Sequence, residues 1–329
     1  MNSNLPLRIG IVVIGRNEGE RLIACLDALP TELARVYVDS ASTDNSIDEA
    51  RARGADVVEL DMSIPFSAAR ARNEGVERLL EVAPATEAVQ FLDGDTIMQP
   101  GWLEAAATHL SANPGTVVVA GRRRERFPDA SWYNELCDIE WNTPVGEAAA
   151  VGGDALYRVE AFKAAGGFNP GVIAGEEPEL CYRLRQAGGR VERLDQEMTL
   201  HDAGIHSFGP WWKRARRGGY ALGLGVLMHG RGPERYEVAR AIRALFWGVG
   251  LPALFVLGLL VGAGWLSLMI LAVYGAKWVR VAARFEGVVT KPWRYAQFLM
   301  LANAAEAQGV IQCFWERFRG RQATIIEYK

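Results

Sequence analysis

Two aspartates two residues apart follow an apolar run in the first third of the chain. Asp93-Gly94-Asp95 comes directly after Val89–Leu92, a stretch typical of a buried strand. Two carboxylates at the end of one strand can approach the same hard divalent cation. Oxygen ligands that leave coordination positions open suit Mg²⁺ or Mn²⁺ clamped to a diphosphate. The triplet alone is weak evidence, but its place after a strand makes Asp93 and Asp95 candidate metal ligands.

Other polar side chains also follow strand-like runs. Asn17 and Glu18 come after the first run, and Asp39 ends the second, where a carboxylate could bind a base or a ribose. Arg72 and Asn73 lie in the next helical pattern and could hold phosphate or ribose, although a solvated helix charge is the alternative for Arg72. We expect these side chains to bind a phosphorylated donor.

An acidic tetrapeptide opens a helical pattern in the middle of the chain. Carboxylates in a first helical turn are favoured by the helix dipole, which explains one or two of the three in Glu176-Glu177-Pro178-Glu179. One of them is left to act as a general base, a task that partial desolvation would assist by raising its pKa. His201 follows this helix, and its imidazole could complete a metal site that two aspartates leave short of ligands.

The elements that must position these residues alternate regularly. Over residues 8–125, strand-like runs at Ile9–Ile14, Val36–Val38, Val57–Leu60, Val89–Leu92 and Val117–Ala120 alternate with helical patterns at Glu20–Leu29, Asp44–Arg53, Ser67–Leu80 and Gly101–Leu110. This order predicts an α/β fold with a mostly parallel sheet flanked by helices, and ligands then bind beyond the carboxyl ends of the strands. Residues 126–147 have no clear period and are interpreted as an insertion or acceptor-side loop. Gly153 and Asp154, which follow it, are expected to contact the acceptor.

The charge is divided between the two parts of the chain. Up to residue 200, 19 Lys and Arg stand against 32 Asp and Glu, and from residue 201 onward the counts are 17 and 7. The acidic front part argues against a nucleic-acid partner, which requires a broad basic surface. The four cysteines are scattered, with no CxxC pair, and are expected to be reduced thiols. The chain opens with no signal peptide, so the front part is expected in the cytosol.

A long uncharged stretch covers residues 245–276, with basic residues on both sides. It is longer than one membrane span and shorter than two comfortable ones, so a tilted span, a re-entrant hairpin and an interfacial helix pair are all possible. A buried hairpin of a soluble enzyme is the alternative. With an amphipathic tail at 292–319, it forms a predicted helical membrane-associated region at 231–329, after a first domain at 1–230. Before it, Trp211, Arg214 and Arg217 belong to a basic aromatic segment that could lie on the membrane or clamp a substrate phosphate.

Six segments, taken in order, resemble one family. They are Val13-Ile14-Gly15-Arg16-Asn17-Glu18, Val38-Asp39-Ser40-Ala41-Ser42-Thr43-Asp44, Ala71-Arg72-Asn73-Glu74-Gly75, Phe91-Leu92-Asp93-Gly94-Asp95, Gly167-Phe168, and Gly175-Glu176-Glu177-Pro178-Glu179-Leu180 with Arg183-Leu184. Each is common alone, but their order and spacing are specific. Over about residues 7–220 the chain resembles the family-2 glycosyltransferases with the GT-A fold.

The resemblance implies roles for individual residues. Asp39 is similar to the carboxylate that reads the nucleotide base, usually uracil, and Asp95 to the direct metal ligand of the Asp-x-Asp motif. Glu177 stands where the family carries the Asp of a Glu-Asp pair, its proposed base. Glu is one methylene longer than Asp, so the choice between Glu176 and Glu177 stays open. His201 is similar to a histidine that completes the metal site in some members.

The resemblance also implies a function. We expect inverting, Mg²⁺- or Mn²⁺-dependent transfer of one sugar from a nucleotide diphosphate sugar, UDP-linked above all, with Arg214 or Arg217 helping to stabilise the leaving diphosphate. The expected acceptor is a saccharide or a lipid-linked molecule in bacterial surface polysaccharide assembly, at the cytoplasmic face of the inner membrane and in contact with its lipids. A retaining transferase of the same fold and a non-catalytic component of an assembly complex are the alternatives. Processive synthases carry a Gln-x-x-Arg-Trp signature and several spans, which favours addition of a single sugar here.

Overall fold

A computed structural model describes residues 5–320 of the chain. It separates into two compact units, which divide between Gly204 and Ile205. This division comes earlier than the boundary after residue 230 expected from the sequence. The reason is that a helix at 208–229 packs against the helix at 292–318 and therefore belongs to the second unit.

The first unit is built on one mixed sheet. Its strands are β1 Ile9–Gly15, β2 Arg35–Asp39, β3 Asp56–Glu59, β4 Ala88–Asp93, β5 Thr96–Met98, β6 Thr116–Glu125, β7 Gly146–Glu147, β8 Ala155–Arg158 and β9 Arg190–His201. They lie in the order β3-β2-β1-β4-β8-β6-β9-β5, with β7 beside β9. The first four strands in that order are parallel, as predicted, while β8 runs antiparallel to both of its neighbours. The sheet is thus parallel where the predicted site lies and mixed beyond β4.

Seven helices cover this sheet: α1 Glu20–Asp27, α2 Ser46–Ala52, α3 Ala68–Val82, α4 Trp102–Ala112, α5 Trp132–Trp141, α6 Val159–Ala164 and α7 Glu176–Gln186. Helix α3 begins after Ser67, whose hydroxyl accepts a hydrogen bond from the backbone N–H of Arg70 at 3.2 Å. It lies unusually close to β1, since a Cβ atom at Gly75 would come within 2.4 Å of Val12. This close approach brings the first turn of α3 to the sheet edge where the polar strand ends lie.

Residues 126–147, interpreted from the sequence as an insertion or acceptor-side loop, are not a loop. The segment contains α5, whose first turn is capped by the Ser131 hydroxyl accepting from the Asn134 backbone N–H at 3.0 Å. Trp132, Leu136 and Cys137 form its buried face at helical spacing. Four polar or charged residues among its ten obscured that pattern. The sequence also did not predict the long strand β9, because five of its twelve residues are charged.

The second unit is helical. It contains α8 Phe208–His229, α9 Val238–Leu245, α10 Leu251–Leu260, α11 Gly264–Arg284 and α12 Pro292–Phe318, with one π-helical turn at 246–250 joining α9 to α10. The uncharged stretch breaks at Gly262, which has a φ of +73°, so it forms a helical hairpin and not one tilted span. Residues 238–260 and 264–284 are each long and apolar enough to cross a membrane.

Candidate functional site

The carboxyl ends of three neighbouring strands form the floor of the candidate site. In the strand register Gly15 of β1 pairs with Asp39 of β2, and Ile14 pairs with Asp93 of β4. The backbone N–H of Gly94 donates to the Ile14 carbonyl at 2.8 Å, which holds the Asp-x-Asp turn against β1. The parallel pairing therefore brings together strand ends that are up to 78 residues apart in the sequence.

Asp93, Asp95 and His201 form a cluster that could hold a metal ion. One ligand atom from each lies within 4.8 Å of the other two, and His201 Nε2 is 3.4 Å from Asp95 Oδ2. Strand pairing brings His201 close to the two aspartates, since His201 at the end of β9 lies opposite Thr96 of β5. At a metal–ligand distance of about 2.1 Å, octahedral ligands lie roughly 3.0 to 4.2 Å apart. The buried Nδ1 atom of His201 has no partner in the described part of the chain. The donor set fits a divalent cation.

The charge balance around Asp93 keeps this carboxylate ionised. Burial alone would raise the pKa of Asp93, but the guanidinium groups of Arg72 and Arg123 outweigh burial and hold that pKa below its usual range. Arg72 Nη2 donates to Asp93 Oδ1 at 2.8 Å. Asp93 is therefore available to a cation without first losing a proton.

Arg72 also links the candidate metal ligands to the acidic helix. Its side chain is 3% exposed, and its Nη1 atom lies 3.0 Å from Oε1 of Glu176 and 3.0 Å from Oε1 of Glu177. Burial first, and the Glu176 carboxylate second, raise the pKa of Glu177 to about 7, while Arg72 opposes the shift. Glu177 therefore has the acid–base properties of a general base near neutral pH. Glu179, the third carboxylate of the helix start, instead pairs with Arg183 at 2.8 Å.

Gly153 lies at the centre of these charged groups. A Cβ atom at this position would lie 2.6 Å from Arg72 Nη2, 2.9 Å from Asp93 Oδ2 and 3.2 Å from Glu177 Oε1. The position thus admits only glycine without displacing all three side chains. Gly153 shapes the site, while its expected contact with an acceptor stays a prediction.

Arg123 is a member of this site that the sequence analysis missed. Its Nε donates to Asp154 Oδ2 at 2.9 Å, and Asp154, which is fully buried, also accepts from the Thr199 hydroxyl at 2.7 Å. The guanidinium lies 5.5 Å from the ring of Trp141, which in turn contacts the His201 ring. Asp154, predicted to contact the acceptor, therefore lies beneath Arg123 and positions it. Arg123 lies on β6, and its two flanking arginines concealed it in the sequence.

The loops after β1 and β2 hold each other. Asp39 is buried, and its carboxylate accepts hydrogen bonds from the Tyr37 hydroxyl at 3.1 Å and from the Ser42 backbone N–H at 2.8 Å. Asn17 Oδ1 accepts from the Thr43 backbone N–H at 2.7 Å. Glu18 pairs with Arg21 at 2.7 Å. Asp39, Asn17 and Glu18 lie at the predicted strand ends, and their contact with a donor stays a prediction.

Asn73, predicted to bind the donor, has a different partner. Its side-chain amide donates to the Phe168 carbonyl at 2.7 Å and accepts from the Phe168 backbone N–H at 2.9 Å. Both ends of the amide are thus engaged with one residue of the Gly167-Phe168 turn. The structure assigns Asn73 a clamping role, since it joins helix α3 to the Gly167-Phe168 turn.

The remaining predicted residues lie in the second unit, on α8. Trp211 is buried, and its ring lies 4.9 Å from that of Phe298 on α12. This packing leaves little of Trp211 for the acceptor contact predicted for it. Arg214 and Arg217 are partly buried on the same helix. Their predicted role at the diphosphate stays a prediction.

A family model described as Glycosyl transferase family 2 matches residues 10–164, which include the strand ends, the Asp-x-Asp turn and Gly153. Residues 10–164 belong to glycosyl transferase family 2.

Similarity to individual proteins is more limited in extent. The chain is 30% identical over 145 residues to a pre-mycofactocin glycosyltransferase of Mycobacterium tuberculosis, covering 41% of this chain and 30% of that protein. It is 46% identical over 57 residues to succinoglycan biosynthesis protein ExoA of Rhizobium meliloti, covering 17% of each. The chain thus spans less than a third of the curated relatives it matches.

One solved structure is similar over most of the chain. A mannosyltransferase from Pyrobaculum calidifontis, solved with GDP-Man and Mn²⁺, superposes with a TM-score of 0.62 at 19% identity, covering 94% of this chain and 88% of that one. This likeness confirms the predicted GT-A fold of the family 2 domain, followed by a helical region.

Gly153 of the family 2 domain provides a sensitive test of the site. We expect Gly153→Ala to reduce sugar transfer by about 100-fold or more, because the new methyl group displaces Arg72, Asp93 and Glu177 from their present positions. Gly152→Ala is the matched control, since its Cβ would meet Arg123 only at an ordinary 3.5 Å. Equal rates for the two variants, with both folded by circular dichroism, would show that the three side chains tolerate the displacement.

The clamp made by Asn73 is tested by stability. We expect Asn73→Ala to lower the free energy of unfolding by about 1–3 kcal/mol, because two backbone groups of Phe168 lose their partner. Asn45→Ala is the control, since the Asn45 side chain makes no capping hydrogen bond. An unchanged unfolding midpoint together with weaker nucleotide-sugar binding would instead support the donor-binding role predicted from the sequence.

Proposed function

We propose that this protein transfers a single sugar from a nucleotide diphosphate sugar to an acceptor hydroxyl, with inversion at the anomeric carbon. The observation that carries the proposal is the position of one arginine. Arg72 contacts Asp93, a candidate metal ligand, on one side and Glu177, a carboxylate with a pKa of about 7, on the other. A group suited to bind a diphosphate and a group suited to accept a proton are thus both in contact with the Arg72 side chain.

Each side chain of the site has a separate role in the proposed sugar transfer. Glu177 accepts the proton of the acceptor hydroxyl as that oxygen attacks the anomeric carbon from the side opposite the diphosphate. Arg72 holds Glu177 and Asp93 in place, and Arg123, fixed by Asp154, supplies a second positive charge near the same carboxylates. A divalent cation bound by Asp93, Asp95 and His201 would neutralise the charge of the departing diphosphate.

The donor set favours Mn²⁺ over Mg²⁺. Mg²⁺ prefers a full set of oxygen ligands, whereas His201 contributes a nitrogen to the cluster. The mannosyltransferase that shares the fold was solved with Mn²⁺. Activity restored more fully by Mn²⁺ than by Mg²⁺ after chelation would support this choice.

Inversion is proposed because a single displacement requires one base and no covalent intermediate. Glu177 provides that base, and Arg72 neutralises the neighbouring carboxylates Asp93 and Glu176 in ion pairs. The anomeric configuration of the product, read by NMR, separates this mechanism from a retaining transferase. A non-catalytic role in an assembly complex is opposed by the complete set of metal-binding and basic groups.

The donor nucleotide is tested by a direct screen. The resemblance of Asp39 to a uracil-reading carboxylate favours a UDP-sugar, while the related fold solved with GDP-Man makes GDP-mannose the competing donor. We expect purified protein to hydrolyse one class of nucleotide sugar slowly in a metal-dependent manner, and Asp39→Ala to weaken binding of that donor. Failure of every UDP- and GDP-sugar to be hydrolysed or bound would contradict the proposed transferase activity.

The proposed acceptor is a saccharide or a lipid-linked molecule at the cytoplasmic face of a bacterial membrane. Two observations support this placement: the similarity to a succinoglycan biosynthesis protein and the apolar hairpin of the second unit. The basic charge of residues 201–329 suits anionic headgroups. We propose that the second unit attaches the enzyme to the membrane in which such acceptors are concentrated.

A further inference from the structure

The hairpin formed by α10 and α11 has a charged base and an uncharged tip. Basic residues flank it only at the base, with Arg240 and Arg243 before it and Lys277 and Arg280 after it. Large apolar side chains are exposed toward its tip: Leu254, Leu257, Leu260, Val261, Trp265 and Leu268. A patch of this kind is rare on a soluble monomer and indicates an apolar partner. The cations at one end indicate that this partner has an anionic surface.

Aromatic residues mark the level at which the hairpin leaves polar surroundings. The rings of Trp247 and Tyr274 lie 5.5 Å apart, and the Tyr274 hydroxyl donates to the Trp247 carbonyl. The ammonium group of Lys277 lies 3.7 Å from the Trp247 ring. Tryptophan, tyrosine and lysine gather where hydrocarbon meets headgroups in membranes. We call these three residues the collar.

The hairpin between the collar and the tip is short. Residues 264–273 on one side and 248–261 on the other span about 15 to 20 Å at 1.5 Å per helical residue. The hydrocarbon core of a bilayer is about 30 Å thick, so this length reaches through one leaflet and ends near the centre. Two features limit the reach beyond the collar. Gly248 packs directly against Asn303 of α12 on one arm, and Lys277 and Arg280 place charges on α11 on the other.

The turn at the tip suits an apolar medium because several of its backbone groups are hydrogen-bonded within the hairpin. The backbone N–H groups of Val261, Gly262 and Leu266 donate to carbonyls of residues 257, 259 and 263. The Ser267 hydroxyl donates to the Phe255 carbonyl at 2.9 Å and joins the two helices. Backbone groups left without partners would be costly in hydrocarbon. The hydrogen bonds at this turn reduce that cost.

We propose that residues 248–273 enter one leaflet of a lipid bilayer and turn back near its centre, without emerging on the far side. This topology rests on the proposed membrane attachment of the second unit and adds the depth of insertion. Both ends of the hairpin then lie on the same side as the basic residues. The enzyme would be anchored without exposing any part of the hairpin to the opposite face.

The depth of the tip is measured with the full-length protein on vesicles of phosphatidylcholine and phosphatidylglycerol. A Val261→Cys variant is labelled with a fluorophore, which the four native cysteines do not interfere with because all are buried. Quenching by lipids brominated at different depths should place the label within about 5 Å of the bilayer centre. A label at headgroup depth, on either side, would overturn the proposal, since it indicates a full crossing or surface attachment.

A charge at the tip provides an independent measurement. We expect Val261→Asp to reduce vesicle binding by about 100-fold in flotation, the effect of a carboxylate near the bilayer centre. Val288→Asp is the matched control, because Val288 is also an exposed valine, at 72% against 65%, but lies outside the hairpin. Equal binding by the two variants would also overturn the proposal.

Flotation of the wild-type protein distinguishes failure of the membrane attachment from failure of the hairpin topology. If it does not float with vesicles at all, the membrane attachment itself is wrong, and the topology with it. If it floats but the label at residue 261 is not near the centre, only the topology is wrong. Neither result bears on the sugar-transfer chemistry, which the donor screen tests without membranes.

Discussion

Asp95→Ala is expected to abolish sugar transfer and to weaken donor binding strongly. Its carboxylate lies 3.4 Å from His201 Nε2 and is the buried oxygen ligand of the candidate metal cluster. Without it a bound cation would lose an oxygen ligand, and the charge of the leaving diphosphate would be less stabilised. We expect a fall of at least about 1,000-fold in the transfer rate, since removing a single oxyanion-stabilising donor already costs 100- to 1,000-fold.

The measurement pairs transfer rates with calorimetric titration of Mn²⁺ and nucleotide. Asp129→Ala is a suitable control, because Asp129 is an exposed aspartate in a 3₁₀ turn and is not a member of the cluster. EDTA should reproduce the loss in the wild-type protein, and added Mn²⁺ should reverse it. Full activity in EDTA, or an Asp95→Ala variant close to wild type, would remove the metal-dependent mechanism.

Glu177→Gln is expected to separate chemistry from binding. The amide keeps the shape of the side chain but cannot accept the proton of the acceptor hydroxyl, so transfer should fall by about 100- to 10,000-fold while donor affinity is maintained. The pKa of about 7 adds a pH signature. Below pH 7 Glu177 is protonated and inactive as a base, so the wild-type rate should rise as the pH increases from 6 to 8.

Glu176→Gln and Glu179→Gln are the matched controls, since all three residues lie in the first turn of α7. Glu179→Gln should retain transfer, because its partner is Arg183. If Glu176→Gln shows the chemical defect and Glu177→Gln does not, the base has been assigned one residue too far along the chain. If all three variants retain both the rate and its pH dependence, the base lies outside this helix.

Much of the fold could be predicted because its first strands are continuous apolar runs separated by helical patterns. The runs at Ile9, Val36, Val57 and Val89 each became a strand, and all four pair in parallel. Parallel pairing brings their carboxyl ends to one edge. The proximity of Asp39, Asp93 and Asp95 therefore followed from local patterns and one general property of α/β sheets.

The rest depended on partners that no local pattern reveals. The two ends of the Asn73 amide are engaged by Phe168, which lies 95 residues further along the chain. Arg123 pairs with the buried Asp154, whereas its neighbours Arg122 and Arg124 pair with Asp195 and Asp138. The type of a residue and its position at a strand end were enough to predict that the residue lies in the site. The role of each residue in the site depends on long-range contacts, which the sequence does not show.

The packing of α8 against α12 has a consequence for the order in which the chain folds. Gly219 and Gly309 each lie so close to the backbone of the other helix that an added Cβ would come within 2.0 Å of it. Helix α8 therefore cannot complete its packing until residues 292–318 have been synthesised, by which time the intervening hairpin has already left the ribosome. Contacts of such long sequence separation form slowly, whereas β1 and β2 can meet as soon as the loop between them closes. The second unit should consequently acquire its native packing last. By then the apolar hairpin of α10 and α11 has had time to enter an apolar environment.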